Sequence, residues 1–407
     1  MKYIEDKIIK GILSWKELLI TLYLIISSGN PYFRENSVVI TVIGFSLLIL
    51  LYPMNFKLEK NDVIPLFIIC FFTFFEVLHK FIFNIDNEKA IFKIFGFFLF
   101  SYYTIKAIKI KFIPAYVNTI YLLSIISLSF YALLLIFPNL YLLKNVGENF
   151  FPLKHSTNPT IIFYTFDNAY YIGTYNYIRN AGFTWEAGGF ATYLNIAFFF
   201  HISTTTKNFY SFIKDKKTII FIISIISTFS TAGYLAFFFC LTYAIIKFNN
   251  RFDIIWLLFL LILSYQLFYK IEFLGNKIQD QIEFADETQN RIGAALLDWQ
   301  DIKKRPFLGW SRKEKVLFGD DAYTIETHRP NGITNFIRRY GLIYFTTYLL
   351  IIFISFKNLF YAFDKKYYKI KSILLLFIIL VMGFSQLIFD DFLFRSFLFL
   401  FIIKKSK

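Results

Sequence analysis

Arg291-Ile-Gly-Ala-Ala-Leu-Leu-Asp-Trp-Gln-Asp-Ile-Lys-Lys-Arg-Pro-Phe-Leu-Gly-Trp310 lies inside a 68-residue segment, Lys270 to Ile337, that interrupts a chain otherwise made of apolar runs. The segment holds 11 of the 28 acidic residues. Ile292, Leu296, Trp299 and Ile302 recur at steps of four, three and three, which predicts a helix over about 289–304 with one apolar stripe. Pro306 ends it, because its ring bars continuation and pushes Arg305 to extended geometry. His328-Arg-Pro-Asn331 follows just before the next apolar run. One reading of the segment is an amphipathic surface helix, a loop and a point of re-entry. The other is the lid and catalytic wall of a membrane-embedded transferase.

Outward from this segment the composition is that of a membrane protein. The 407 residues are 57% hydrophobic and 17% charged, against about 45–50% and about 25% in soluble domains. Mean hydropathy is +0.54. A span needs roughly 20 apolar residues. Twelve candidates fall near 11–28, 36–54, 63–83, 89–107, 114–137, 184–203, 217–230, 231–247, 253–269, 338–356, 370–386 and 388–404. The expected fold is therefore an all-α polytopic integral membrane protein, one domain over 1–407 with about twelve transmembrane helices. The first span contains Lys16 and Glu17 and has no small-residue cleavage site after it, so it reads as a retained helix.

The net charge of +15 is explained by topology and calls for no nucleic-acid partner. With the N-terminus inside, the inside segments carry 22 Lys and Arg, whereas the short outside turns carry only Arg34 and Lys89. Such a bias sets orientation. Both termini then lie inside. The loop 138–183 and the large loop 270–337, between spans nine and ten, lie outside. Cys70 and Cys240 fall in spans, so no disulfide is expected in the outer loops.

Glu76, His79 and Lys80 sit near a span end and read as an interfacial cluster. His201 reads the same way. The loop 138–183 is rich in aromatics, including Phe150, Phe151, Tyr170, Tyr171, Tyr175 and Tyr177. Such residues suit the membrane interface or a sugar-stacking platform equally. The loop leads into Arg179-Asn-Ala-Gly-Phe-Thr-Trp-Glu-Ala-Gly-Gly189. Arg179 and Glu186 stand at the outer mouth of the sixth span, where an ionisable residue is either an anchor or a functional group. Gly188 and Gly189 allow another element to come close. The chain has no 20–50-residue repeat, nucleotide-binding P-loop, HExxH or Cys/His metal cluster. Asp320-Asp321 reads as a solvated face, and Asp390-Asp391 as an ion pair with Arg395 one turn along.

Three stretches together resemble the O-antigen ligase and O-antigen or capsule polymerase superfamily of bacterial envelopes. The first is Arg179 with Gly182-Phe-Thr-Trp-Glu186. The second is Thr228-Phe-Ser-Thr-Ala-Gly-Tyr-Leu235 between two short spans. The third is Arg291, Trp299, Pro306-Phe-Leu-Gly309, His328-x-x-Asn331 and Gly341. The motifs occupy 179–341; the single large outer loop between late spans matches as well. Two features depart from the pattern. Glu186 is followed by Ala187 instead of Pro, and the His-rich cluster of ligases is reduced to His328.

The resemblance implies a GT-C-like architecture in the bacterial inner membrane. It implies transfer of a polyprenyl-diphosphate-linked glycan to an acceptor sugar hydroxyl at the outer face, without metal or other cofactor. Membrane lipids, the donor and acceptor glycans and a chain-length regulator are the implied partners. Arg179 and Arg291 would hold the diphosphate, since a guanidinium stays charged and presents a planar fork. His328 would take the hydroxyl proton, with Glu186 as the competing base. Polymerase is favoured over ligase because of the single His and Trp185-Glu186. A flippase is the rival from another class. It accounts for the spans but not for a long outer loop carrying Arg291 and His328. Reporter fusions after Asn158 and after Asp320 should both read as outside; an inside signal at either would reverse the orientation.

Overall fold

A computed structural model describes residues 13–52, 60–86, 88–153, 158–167, 170–172, 175–205, 208–248, 255, 290–319, 329–363 and 365–403. The protein is an all-α membrane protein. Among the described residues the strands form two short antiparallel hairpins in the aromatic loop, Thr160–Ile161 with Tyr164–Thr165 and Tyr170–Ile172 with Tyr175–Tyr177. Among the described residues, five helical stretches are long and apolar enough to cross a membrane: Lys60–Phe83, Glu88–Ile136, Thr231–Phe248, Gly332–Phe363 and Tyr368–Ser385. The second is 49 residues long, and a 3-10 turn at Lys109–Lys111 with Lys109 at φ +52° divides it. Trp15–Gly29, Ser37–Leu51, Ala187–Thr204 and Lys216–Ser227 occupy further expected spans as helices of 15, 15, 18 and 12 residues. Apart from Ile255, the expected ninth span lies outside the described residues.

The centre of the bundle is Ala187–Thr204. Sixteen of its 18 residues are buried, as expected of a helix that is apolar on every side. It packs against Phe112–Ile136, Lys216–Ser227, Thr231–Phe248 and Tyr368–Ser385. Asn195, buried in its middle, is satisfied: the side chain donates to the carbonyls of Ala191 and Gly233 at 2.8 and 3.0 Å.

The described part of the 270–337 loop is attached to the bundle by backbone. Gly332–Phe363 begins earlier than the expected span at 338 and is broken at Gly341, which has φ +83° and ψ 170°. The break exposes carbonyls that a continuous helix would use. Trp310 N–H donates to Arg338 O at 2.8 Å, Ser311 N–H to Arg339 O at 3.0 Å, and Leu342 N–H to Pro306 O at 2.8 Å. Gly309, at φ +69°, lies against the Arg339 carbonyl. The Pro306–Gly309 run thus fills the gap that Gly341 opens.

Four expectations change. Glu76 and His79 are buried, not interfacial, and His79 Nε2 lies 2.7 Å from Leu308 O. Lys80 does stay near the surface, paired with Glu88. The 289–304 helix forms over Arg291–Lys304, but its apolar stripe is not what packs. Leu296 and Trp299 are exposed, at 54% and 47%, while Asp298 and Asp301 face inward with Ile302. The expected span at 388–404 is not one continuous helix but Phe392–Phe397 followed by a 3-10 turn at Leu400–Ile402. By sequence the Lys154–Asn158 run, which carries His155, reads as a solvated turn, but Asn158 at its end is buried.

Gly341→Ala places a non-glycine residue in a region open essentially to Gly alone, which costs about 1–3 kcal/mol, and its Cβ overlaps the Phe307 carbonyl. Its thermal unfolding midpoint in detergent should fall clearly. Gly96→Ala, a mid-helix position with open space around the new methyl, should be neutral or slightly stabilising by that assay.

Candidate functional site

The N-terminus of the central helix gathers the sequence motifs. Glu186 is its N-cap, in extended geometry at φ −160° and ψ 166°. Asp167, from the aromatic loop, accepts from Ala187 N–H at 3.4 Å. A carboxylate is favoured there by the exposed N–H groups and the helix dipole. Asn158 fixes Asp167, donating to its Oδ1 at 3.2 Å and to Trp185 O at 2.8 Å.

Arg179 and Arg291 both reach carboxylates at this helix end, but different ones. Arg179 Nη1 lies 3.9 Å from Asp167 Oδ2, and its Nε donates to Thr228 O at 3.3 Å. Its neighbour Asn180 donates to Ser227 Oγ at 2.9 Å. Arg179 thereby ties the first motif to the second, and it is buried. Arg291 opens the Arg291–Lys304 helix behind the N-cap Asn290. Its Nε donates to Ser385 O at 2.9 Å and its Nη2 to Glu186 Oε1 at 3.3 Å. Those two side chains keep 22% and 30% exposure, so a ligand can reach them. Asn331 donates to Arg291 O at 3.4 Å. The expected direct convergence of the two arginines on one group is replaced by this shared helix end. His328, His155 and Asp320-Asp321 lie outside the described residues.

Gln386 closes the site. Its Oε1 accepts from Trp185 Nε1 at 3.0 Å, and a Cβ on Gly188 would overlap its amide. The close approach expected at Gly188 is thus made by Gln386. Sequence reasoning missed Gln386 and Asp167, because each is one ordinary polar residue with no motif around it.

Beside the Glu186–Arg291 pair lies a layer of charge. Asp298 takes Arg338 Nε at 3.0 Å and Arg329 Nη1 at 3.1 Å. Arg329 also reaches Asp301 at 2.6 Å. Glu314 takes Arg338 at 3.1 Å and Arg339 at 2.8 Å. Burial opposes its charge, yet Arg339 and Arg338 hold the Glu314 carboxyl below its ordinary range. Asp390 pairs with Arg395 at 2.8 Å, as the sequence led one to expect, and with Arg339 at 3.7 Å. Asp391 pairs with Arg34 at 3.1 Å, and that guanidinium lies 3.9 Å from the Trp185 ring centroid.

The two adjacent aspartates are pushed apart. Burial opposes ionisation of Asp390, but Arg312, Arg395 and Arg339 hold it down to about 2. Burial, reinforced by the Asp390 charge, pushes Asp391 up to about 7 despite Arg34. A cavity of about 470 Å³ opens between these groups, lined by Arg34, Lys93, Trp185, Arg312, Arg339 and Asp390 among others. Among the described residues no group of three or more His, Cys, Asp or Glu could hold a metal.

No protein-family model matches the chain, and no curated protein matches it in sequence.

Asp390→Asn leaves the buried Arg395 without its carboxylate and should destabilise by about 3–5 kcal/mol. Asp391→Asn imitates the neutral form that burial already favours, so its cost should be much smaller. The raised carboxyl of Asp391 binds a proton more readily folded than unfolded. Its contribution therefore strengthens as pH falls from about 7 toward about 4. Unfolding midpoints measured across that window should lose this slope in Asp391→Asn.

Proposed function

We propose that the protein transfers polyprenyl-diphosphate-linked glycan repeat units to an acceptor sugar hydroxyl, as an O-antigen or capsule polysaccharide polymerase. On this reading it is a multi-pass protein of the bacterial inner membrane with about twelve spans and a GT-C-like architecture. Its ends are cytoplasmic and its active site faces the periplasm. The observation that carries the reading is the Glu186–Arg291 pair. It sits partly exposed at the mouth of the central helix, where residues 105 positions apart meet.

The chemistry follows from charge. The acceptor oxygen attacks the anomeric carbon, the bond to the diphosphate oxygen breaks, and the leaving diphosphate takes the electron pair. Arg291 stabilises that charge by paired, charge-assisted hydrogen bonds. Arg179 supports the site from behind, through Asp167 and the helix end, and adds its charge. The hydroxyl proton goes to His328 or Glu186. Glu186, held at 3.3 Å from Arg291, is placed to serve as that base or to orient the arginine. No metal is required, because fixed guanidinium groups supply the positive charge a cation provides elsewhere.

Arg291→Lys keeps the charge but loses the fork, and should cut transfer from a synthetic polyprenyl-diphosphate glycan by about 30- to 1,000-fold. Near-normal product from that variant would remove Arg291 from the mechanism. Glu186→Gln and His328→Ala separate the two bases: the one that abolishes transfer while lipid binding persists is the base. Deleting the gene distinguishes polymerase from ligase. Loss of a polymerase leaves single repeat units on the final carrier. Loss of a ligase strands full-length polymer on polyprenyl diphosphate.

A further inference from the structure

The wall of the cavity beside the Glu186–Arg291 pair gathers Arg34, Lys93, Arg312 and Arg339 around the carboxylates of Glu35, Asp390 and Asp391. Arg34 is matched by Asp391, and Arg339 by Glu314 and Asp390. Arg395, just behind, is matched by Asp390. Lys93 and Arg312 also line the cavity. Lys93 comes from the outer end of the Glu88–Ile108 helix, and Arg312 follows the Pro306–Ser311 run docked on Gly341. Neither has an ion pair or a side-chain hydrogen bond among the described residues; Lys93 has only the Phe97 ring, 5.4 Å away. Burial works against the charge on Arg312, yet Asp390 at longer range raises its guanidinium above its ordinary range, so it stays a cation.

Three lining residues also keep a buried polar atom without a hydrogen-bond partner: Asn335 Oδ1, Arg339 Nε and Asp391 Oδ2. Unmade hydrogen bonds of this kind cost about 1–3 kcal/mol each and are rare unless something else meets them. Of the three, Arg339 Nε is the donor that an anion in this space would meet.

We propose that this cavity is a binding site for a phosphate-class dianion, taken up between Lys93 and Arg312. Two cations with no carboxylate in ion-pair contact suit a doubly charged group better than they suit a single carboxylate. The arginine fork and the lysine ammonium are the two side chains most suited to phosphate oxygens. The volume, about 470 Å³, is that of a site for a phosphate together with the group that carries it. Phe97, Trp185, Phe336 and Phe389 supply an apolar wall for that group. The site is separate from Arg291, which is engaged by Glu186 and Ser385. Binding here needs no turnover and is independent of the transferase reading.

The test is titration of the full-length protein in detergent with inorganic phosphate and inorganic diphosphate, against acetate at matched ionic strength. Saturable binding of a phosphate species is expected, with acetate much weaker. Arg312→Gln and Lys93→Met should each weaken it about ten- to a hundredfold, the loss of one charge-assisted contact. Lys93→Arg, which keeps the charge, should retain most of it, and Arg312→Lys, which keeps the charge but loses the fork, should bind more tightly than Arg312→Gln. Lys216→Gln, on an exposed distant helix, should change nothing. Arg312 is half-buried in a loop, so its variant should stay monodisperse even if the Lys93 variant does not. Absence of saturable phosphate binding in the unsubstituted protein would overturn the proposal. So would acetate binding as tightly, or binding untouched by Arg312→Gln in folded protein. Competition with vesicles containing polyprenyl phosphate then identifies the source: displacement of the bound ion means a lipid headgroup, and persistence means a free phosphate.

Discussion

The break at Gly341 and the backbone of Pro306–Ser311 depend on each other. A helix that stops hydrogen-bonding to itself inside a bundle leaves donors and acceptors in a poor solvent, at a cost that membranes make severe. The Pro306–Ser311 backbone supplies the missing partners at Arg338, Arg339 and Leu342. His79, from a different helix, adds its ring nitrogen to the Leu308 carbonyl. The outer loop is thus held by main-chain groups, which cannot be shed by changing one side chain.

That junction positions the charge. Because the helix resumes beyond Gly341 in a new direction, Arg338 and Arg339 sit on its outer portion. There they engage Glu314, Asp298 and Asp390. The same junction delivers Arg312 to the cavity wall. The Arg291–Lys304 helix is drawn in through Asp298 and Asp301 together with Ile302, and not through Leu296 and Trp299. Two aspartates held by Arg329 and Arg338 outcompete Leu296 and Trp299 for the inner face. Ion pairs are chosen over apolar contact there because the buried Arg338 must be neutralised, and Asp298 does so. The exposed apolar stripe is left on the outside of the helix, where a lipid interface tolerates it.

The paired arginines show how a motif reading can find a place without finding its contacts. Arg179 and Arg291 do come to one helix end. Yet each is engaged by its own carboxylate, and the more accessible of the two pairs is Arg291 with Glu186. The acid that receives Arg179, Asp167, belongs to an aromatic loop whose composition offers no hint of it. Its role appears only when the loop folds back and places it over the Ala187 N–H.

Several features were set by local chemistry and could be read along the chain. Apolar length and charge bias determined the class, an all-α membrane protein with a large polar loop late in the chain. The C-terminal end of Arg291–Lys304 followed from Pro306. The ion pair of Asp390 with Arg395 followed from helical spacing. What tertiary structure alone decided is which charges share a space. Lys93, Arg312 and Arg339 are separated in sequence by as many as 246 positions, and no periodicity links them. Electrostatic pairing acts over a few ångströms and ignores chain distance. The buried Glu76 and His79, the inverted face of the Arg291–Lys304 helix and the cationic cavity therefore became visible only once the bundle had closed around them.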